Sequence, residues 1–308
     1  MKKSVRIVLS VLITVLLLIA MLRLWGSGDI ILAFSSAKPV YILVAVFVYV
    51  LTYPVRSFRI YYMARKNPDV SYKKVLPVCM QHQFYSRIFP FKAGELSLVY
   101  LLKTNCRLNV SKGSTVLLFI RFFDIIAIVT SYLICNIFVM SDGVVSKLAL
   151  FGLLGVCVCA VIIMKMFPCI TSFLRKHKKE KIAGNLDDVY GMLREQKAAD
   201  LAVMIFLTAF LWMLVYLSMH FTVMAFCDSI SVSETVVASF LASVAAFLPI
   251  NGIGGFGTTE AGWTLGFTLI GMDKNTALIS GLVSNLMSFV IICVFGLISF
   301  LKRGSKDV

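Results

Sequence analysis

The strongest constraint on the fold of this chain is a series of apolar stretches long enough to cross a lipid bilayer. A transmembrane helix needs about 20 mainly apolar residues. Six stretches reach that length, at residues 5–25, 39–57, 113–140, 147–167, 199–226 and 276–301. Because 59% of the residues are apolar and only 15% are charged, the chain also lacks the polar residues that cover a water-soluble protein. The sequence therefore predicts an integral membrane protein.

Two further apolar segments, 75–102 and 235–272, are interrupted by residues that break helices. Proline removes a backbone hydrogen-bond donor, and glycine lets the chain leave helical geometry. Because each interruption falls inside an apolar segment, we expect broken helices or re-entrant hairpins here. The residues expected to form the hinges are Pro90 and Gly94 in the first segment, and Pro249, Gly252, Gly254, Gly255 and Gly257 in the second.

The distribution of Lys and Arg predicts the orientation, because cytoplasmic loops carry an excess of these residues. They are concentrated at the N-terminus, after the second stretch, before residue 113, in segment 171–199 and in the C-terminal tail. We therefore expect both termini to be cytoplasmic, segment 75–102 to enter the membrane from the inside, and segment 235–272 to enter from the outside. The loop expected after the second stretch contains Arg56, Arg59, Arg65, Lys66, Lys73 and Lys74.

Together these features predict an all-α fold, a polytopic membrane helix bundle with six full spans and two re-entrant or broken helical segments. The whole chain, residues 1–308, is expected to form a single integral membrane domain. The first stretch follows Lys2 and Lys3 as in a signal peptide, but Arg23 ends it without a small-residue cleavage site, so we expect a retained helix. The basic segment 171–199 is expected to be a cytoplasmic loop.

Several ionisable side chains lie within the predicted membrane region, where each costs at least ~2.5 kcal/mol unless it faces a cavity or a partner. Paired broken segments in the two halves of a chain indicate a transport site near the bilayer midplane. We therefore expect the two broken segments to meet there and to close a polar groove. The candidate substrate-binding residues are Arg87, Lys92, Glu95, Arg121, Asp124 and Glu260.

The cationic candidates also have structural alternatives. Arg121 and Asp124 are three positions apart on one predicted helix, so they can form an ion pair that fixes this helix to a neighbour. Alternatively, Arg121 can bind a lipid phosphate, because two donors of its planar guanidinium match two phosphate oxygens. Arg87 and Lys92 can instead extend to the inner membrane interface.

The two carboxylates, Glu95 and Glu260, can each lie in the first turn of the helix that follows a break, where negative charge is stabilised. For Glu260 this alternative makes Thr258 or Thr259 the N-cap residue. The structural and functional roles are compatible, because the free amides of a helix N-terminus inside the membrane also attract an anion.

The sequence gives little support for catalysis or for binding of metals, nucleotides or nucleic acids. The eight cysteines are scattered and show no metal-ligand spacing. The glycine-rich segment 252–257 follows no predicted strand and is not followed by Lys-Ser or Lys-Thr. The basic excess, 30 Lys and Arg against 15 Asp and Glu, lies at the ends of apolar stretches, where it suits anionic lipid. We therefore expect no catalytic residue, no metal, no cofactor and no nucleic-acid partner.

Three elements of the chain resemble a known family in their order and spacing. They are segment 89–95, the Arg121 and Asp124 pair, and segment 248–260. The chain is similar to the flippase-like membrane domain of lysylphosphatidylglycerol synthases and to its stand-alone relatives. It departs from the family pattern at Ile120, where an acidic residue normally precedes the arginine. Because the chain ends at Val308, shortly after its last apolar stretch, we expect a stand-alone member without the aminoacyl-transferase domain.

The resemblance implies a multi-pass protein of the cytoplasmic membrane that moves a lipid with a modified head group between leaflets. Its expected partners are membrane lipids, either an anionic phospholipid or a polyprenyl-linked lipid. The alternative is a non-transporting scaffold that binds a cytosolic lipid- or glycan-modifying enzyme through segment 171–199. A membrane enzyme that acts on a lipid phosphate, with His82 near Arg121, is the least favoured function.

Overall fold

The computed structural model describes residues 37–89, 93–139, 180–247 and 253–304, with single residues and short runs between 147 and 176. The four long ranges contain nine α-helices and two short 3₁₀ helices, and no strand. The prediction of an all-α bundle is therefore confirmed. The α-helices are α1 Pro39–Ala64, α2 Tyr72–Ile88, α3 Ser97–Cys106, α4 Val110–Val139, α5 Glu180–Arg194, α6 Ala198–Met224, α7 Val232–Phe247, α8 Thr258–Leu269 and α9 Lys274–Gly304, and the 3₁₀ helices are Ala93–Leu96 and Ile253–Gly255.

Four of these helices, α1, α4, α6 and α9, are long and apolar enough to cross a membrane. They correspond to four of the six predicted spans. The other two, 5–25 and 147–167, lie entirely or mostly outside the described residues. Large apolar side chains on the spanning helices remain exposed on the bundle surface, among them Leu118, Ile137 and Phe206. Such a surface suits hydrocarbon rather than water, and the protein is a multi-pass membrane protein.

Helices α1 and α6 pack antiparallel, and an ion pair lies at each end of their contact. Lys38, just before α1, binds Asp228, just after α6. Arg65, just after α1, binds Asp200 in the first turn of α6 at 2.7 Å. These pairs define two ends of the bundle, named here the Lys38 end and the Arg65 end.

The first predicted break is present between α2 and α3, which form a tight antiparallel hairpin. The helices extend slightly beyond segment 75–102, from Tyr72 to Cys106, and the 3₁₀ helix Ala93–Leu96 lies between them. Gly94 is required for the close approach, because a Cβ atom there would lie 2.1 Å from the carbonyl oxygen of Tyr85. The other predicted hinge residue, Pro90, lies outside the described residues.

The second predicted break is present between α7 and α8, which form another antiparallel hairpin, from Val232 to Leu269. The backbone leaves helical geometry at Gly254, Gly255 and Gly257, whose φ angles are 71°, 74° and 91°. Glycine suits these positions because a side chain disfavours positive φ. The remaining predicted hinge residues, Pro249 and Gly252, lie outside the described residues.

The two hairpins enter the bundle from opposite ends. Helix α2 begins after the turn that follows α1, at the Arg65 end, whereas α7 begins after the loop that follows α6, at the Lys38 end. Their tips meet, because the Arg87 guanidinium near the end of α2 donates a 2.9 Å hydrogen bond to the carbonyl oxygen of Gly254. The expected meeting of the two broken segments is thus present in the fold.

The structure corrects two boundaries. Helix α1 does not end near residue 57 but continues to Ala64, so Arg56 and Arg59 lie in a helix and not in the expected loop. No proline or other strong helix breaker follows Arg59 until Pro68. Segment 171–199 is not simply a loop either, because it contains α5 and the start of α6. Apolar residues recur at helical spacing in α5, and its Met192 packs against the buried cluster around α4.

Candidate functional site

A deeply buried ion pair between α1 and α4 lies at the centre of the candidate site. Nη1 of Arg59 is 2.8 Å from Oδ1 of Asp124, and both side chains are less than 5% exposed. The same carboxylate oxygen accepts a 3.1 Å hydrogen bond from Nε1 of Trp212 on α6. The second nitrogen, Nη2 of Arg59, donates to the carbonyl oxygen of Ile120 at 3.3 Å. This network joins three spanning helices through one carboxylate.

A second arginine of the site connects α4 to the tip of the first hairpin. Nε of Arg121 donates to Oε2 of Glu95 at 2.9 Å, and Nη2 of Arg121 contacts the same oxygen. Nη1 of Arg121 is also 3.4 Å from Oδ2 of Asp124. The expected pair of Arg121 and Asp124 is therefore present, but the closer partner of Arg121 is Glu95. A charge-assisted contact of this kind positions the 3₁₀ helix against α4.

His82 lies on α2 beside the same charges. Its Nδ1 atom is 3.0 Å from Oγ of Ser97, and its Nε2 atom is 3.9 Å from Oε2 of Glu95. The side chain is almost fully buried. Ser97 is the first residue of α3, so His82 connects the two helices of the first hairpin close to the Arg121 and Glu95 contact.

These residues surround a small cavity of about 20 Å³, which is enough space for a water molecule. The cavity lies along the inward surfaces of α1, α2, α3 and α4. Asp124, which lines the cavity, and Trp212, which donates to Asp124, are each about 21 Å along their helices from the first residue. The cavity is therefore deep in the bundle. Its lining residues are Arg56, Arg59, Ile60, His82, Gln83, Leu98, Leu117, Ile120, Arg121 and Asp124.

Arg87 belongs to a second cluster, at the contact between the hairpin tips. In addition to its bond to Gly254, Nη2 of Arg87 is 3.3 Å from Oγ of Ser288 on α9. The guanidinium of Arg87 is thus held by the second hairpin. The physical reason is that a backbone carbonyl left unpaired at the break is a strong acceptor inside the membrane.

Glu260 lies in the same cluster, in the first turn of α8. Its Oε2 atom accepts a 2.7 Å hydrogen bond from the amide of Gly257, and its Oε1 atom accepts a 2.6 Å bond from Nδ2 of Asn285 on α9. The expected place in the first turn is confirmed, but the N-cap residue is Gly257 and neither Thr258 nor Thr259. A carboxylate near these free amides is stabilised by the helix dipole.

The sequence-predicted site residues thus occupy two clusters. The first contains Glu95, Arg121 and Asp124, and the second contains Arg87 and Glu260. Ser288 and Asn285 of α9 connect the two residues of the second cluster, because Ser288 contacts Arg87 and donates to the carbonyl oxygen of Asn285, and Asn285 donates to Glu260. Lys92 lies outside the described residues.

Sequence reasoning missed three members of the first cluster, Arg56, Arg59 and Trp212. The two arginines were interpreted as loop charges that set the orientation. The available signal was the uninterrupted helical sequence that carries α1 past them. Trp212 gave no signal, because a tryptophan in an apolar span is ordinary.

The arrangement suits recognition of a charged group inside the membrane. Charges in a low-dielectric environment interact more strongly than in water, and here they are fixed by contacts among four helices. Both signs are present, so the same region can contact an anionic phosphate and a cationic or hydroxyl-bearing head group. Groups of three or more His, Cys, Asp or Glu able to hold a metal ion are absent from the described residues.

Comparison with known proteins identifies the family. A family model described as the lysylphosphatidylglycerol synthase TM region matches residues 7–296. The chain belongs to this family. Among curated proteins and among solved structures, no match was found. Membership of the lysylphosphatidylglycerol synthase TM family confirms the resemblance seen in the sequence, and together with the helix bundle it indicates a membrane protein with a lipid-related role.

Proposed function

We propose that this protein is a lipid translocator, which moves a phospholipid or lipid-linked intermediate with a modified head group between the leaflets of the cell membrane. The observation that carries the proposal is the meeting of two broken hairpins from opposite ends of the bundle, next to buried clusters of paired charges. Broken helices that meet within a membrane bundle are a common architecture for transport sites.

In this proposal the head group crosses through the polar interior while the acyl chains stay in hydrocarbon. The lipid phosphate pairs with Arg121 or Lys92, and an amine or sugar of the head group contacts Glu95 or Glu260. The 20 Å³ cavity is too small for a head group, so translocation requires the hairpins to move apart. The contacts of the paired charges then exchange for contacts with the lipid.

The test is scrambling of a fluorescent phosphatidylglycerol in proteoliposomes, measured by dithionite bleaching of the outer leaflet. We expect Arg121→Ala and Glu260→Ala each to slow scrambling by about tenfold or more, since a lost charge-assisted hydrogen bond is worth about 1.5–3 kcal/mol. Arg65→Ala is the matched control, because Arg65 also binds a carboxylate but lies outside the cavity, with its side chain 41% exposed.

Two results contradict the proposal in different ways. If the wild type and both variants scramble lipid at the same rate, Arg121 and Glu260 are not head-group-binding residues. Wild-type scrambling no faster than in protein-free liposomes, for anionic and zwitterionic lipids alike, removes the assignment of translocation.

The scaffold alternative uses a different part of the surface. Arg175 and Lys176 are exposed, and Arg175 binds Asp187 of α5, so this region is able to contact an acidic cytosolic partner. A translocator does not need these cations, whereas a scaffold does. Changing Arg175 and Lys176 to Ser therefore leaves scrambling in liposomes unchanged if the translocator proposal is correct.

A further inference from the structure

The cavity of the first cluster carries more positive than negative charge. Among the described residues, three guanidinium groups line it, those of Arg56, Arg59 and Arg121, with the single carboxylate of Asp124. Glu95 adds a second carboxylate through its contact with Arg121. With His82 counted as neutral, one positive charge is left without a matching carboxylate.

The unmatched charge belongs to Arg56. Arg59 is held by Asp124 and the Ile120 carbonyl, and Arg121 is held by Glu95 and Asp124. Arg56 has no hydrogen-bond or ion-pair partner within the ranges that the structure describes, although its side chain is partly buried. The other charged side chains that line the cavity are Arg59, Arg121 and Asp124, and the Asp124 carboxylate already contacts both of these arginines. A partly buried guanidinium without a counter-ion is costly, so this position favours an incoming anion.

We infer that Arg56 binds the phosphate group of a membrane lipid at the mouth of this cavity. The inference rests on the proposed lipid translocation. It gives the contact with the lipid phosphate to Arg56, which is not one of the sequence-predicted site residues. A guanidinium fits because two of its donors match two phosphate oxygens. The cavity of about 20 Å³ has room for a water molecule but not for a phosphate, so in this inference the anion lies at the mouth, on the partly exposed Arg56.

The surroundings of Arg56 favour a lipid as the source of the phosphate. Leu118, which lies one turn before the cavity-lining Arg121 on α4, is an exposed apolar side chain that suits acyl chains. A soluble phosphate ester makes no contact with this surface, whereas the acyl chains of a lipid can pack against it. Phosphate and apolar surface together therefore distinguish a lipid from a free phosphate.

The test measures binding separately from transport. The full chain in detergent is titrated with short-chain phosphatidylglycerol, with glycerol phosphate, and with the diacylglycerol that lacks the phosphate, and binding is followed by microscale thermophoresis. We expect Arg56→Gln to weaken phosphatidylglycerol binding about tenfold or more and to leave diacylglycerol binding unchanged. Arg56→Lys should restore part of the affinity, because it keeps the charge without the planar fork. Lys73→Gln is the control for the lost charge, because Lys73 is exposed on α2.

The outcomes separate this inference from the proposed function. Phosphatidylglycerol binding by Arg56→Gln at wild-type affinity overturns the inference, even if the wild type scrambles lipid. Glycerol phosphate binding as tight as phosphatidylglycerol binding overturns the assignment to a lipid. Weakened binding by Arg56→Gln in a protein that does not scramble lipid supports the phosphate site and contradicts only translocation.

Discussion

The buried pair of Arg59 and Asp124 shows how a single residue can be placed by a distant part of the chain. The two residues are 65 positions apart in sequence. Spacing along one helix predicted the neighbouring contact of Arg121 with Asp124, because residues three apart share a helix face. No local pattern indicates a partner on another helix, so the contact of Arg59 was not predictable. The same limit applies to Trp212, which donates to Asp124 from α6.

Removing one member of this pair should destabilise the protein strongly. A buried ion that loses its partner costs about 3–5 kcal/mol, so Arg59→Met is expected to lower the melting temperature measured in detergent. Arg59→Met combined with Asp124→Leu should be less destabilised than the sum of the two single variants. Lys38→Ala is the control, since its pair with Asp228 is exposed and such pairs contribute little. Strict additivity of the two single variants would show that the pair contributes no coupling energy.

At the scale of elements, both breaks were predictable and one helix was not. Gly94 follows a proline by four residues, the glycines at 254, 255 and 257 are clustered after another proline, and the structure has its breaks at these glycines. Helix α5 was hidden because its charges suggested a solvated loop, and charge excess says nothing about helix formation. The ends of the apolar segments were also shifted, because aromatic and basic residues extend α1 beyond the apolar window.

The close packing of the second hairpin predicts a steric cost for one small substitution. A Cβ atom at Gly266 would lie 1.9 Å from the carbonyl oxygen of Ala238, so Gly266→Ala should force α7 and α8 apart. We expect a loss of about 1–3 kcal/mol, measured as a lower thermal stability in detergent. The matched control is Gly184→Ala on α5, where no atom lies within 4 Å of the added Cβ. The Gly184→Ala variant should be as stable as the wild type or more stable, because alanine is the better helix former. Equal thermal stability of the two variants would contradict the close packing of α7 against α8 at Gly266.

At the scale of the whole molecule, the four helices long enough to span a membrane predict that the two ends of the bundle lie on opposite sides of it. The excess of Lys and Arg near the Arg65 end predicts that this end is cytoplasmic. Residues at the two ends are therefore expected to react differently with a reagent that cannot cross the membrane.

The orientation can be tested by labelling single cysteines in intact cells. In a variant with all native cysteines replaced, Asp228→Cys at the Lys38 end should react with an impermeant maleimide. Glu195→Cys, which is exposed near the Arg65 end, should react only after the cells are permeabilised. The reverse pattern would invert the proposed topology, and labelling of both cysteines in intact cells would contradict the assignment of the two ends to opposite sides.

The bond between the hairpin tips has a genetic consequence, because its acceptor is a main-chain oxygen. Every amino acid supplies that oxygen, so replacing residue 254 perturbs the local backbone shape and leaves the acceptor itself in place. A substitution can remove this hydrogen bond directly only at position 87, because there the donor is a side chain. In a saturation mutagenesis screen, the two positions should therefore tolerate different substitutions. Residue 254 should accept the amino acids that adopt positive φ, whereas residue 87 should accept only side chains that donate hydrogen bonds.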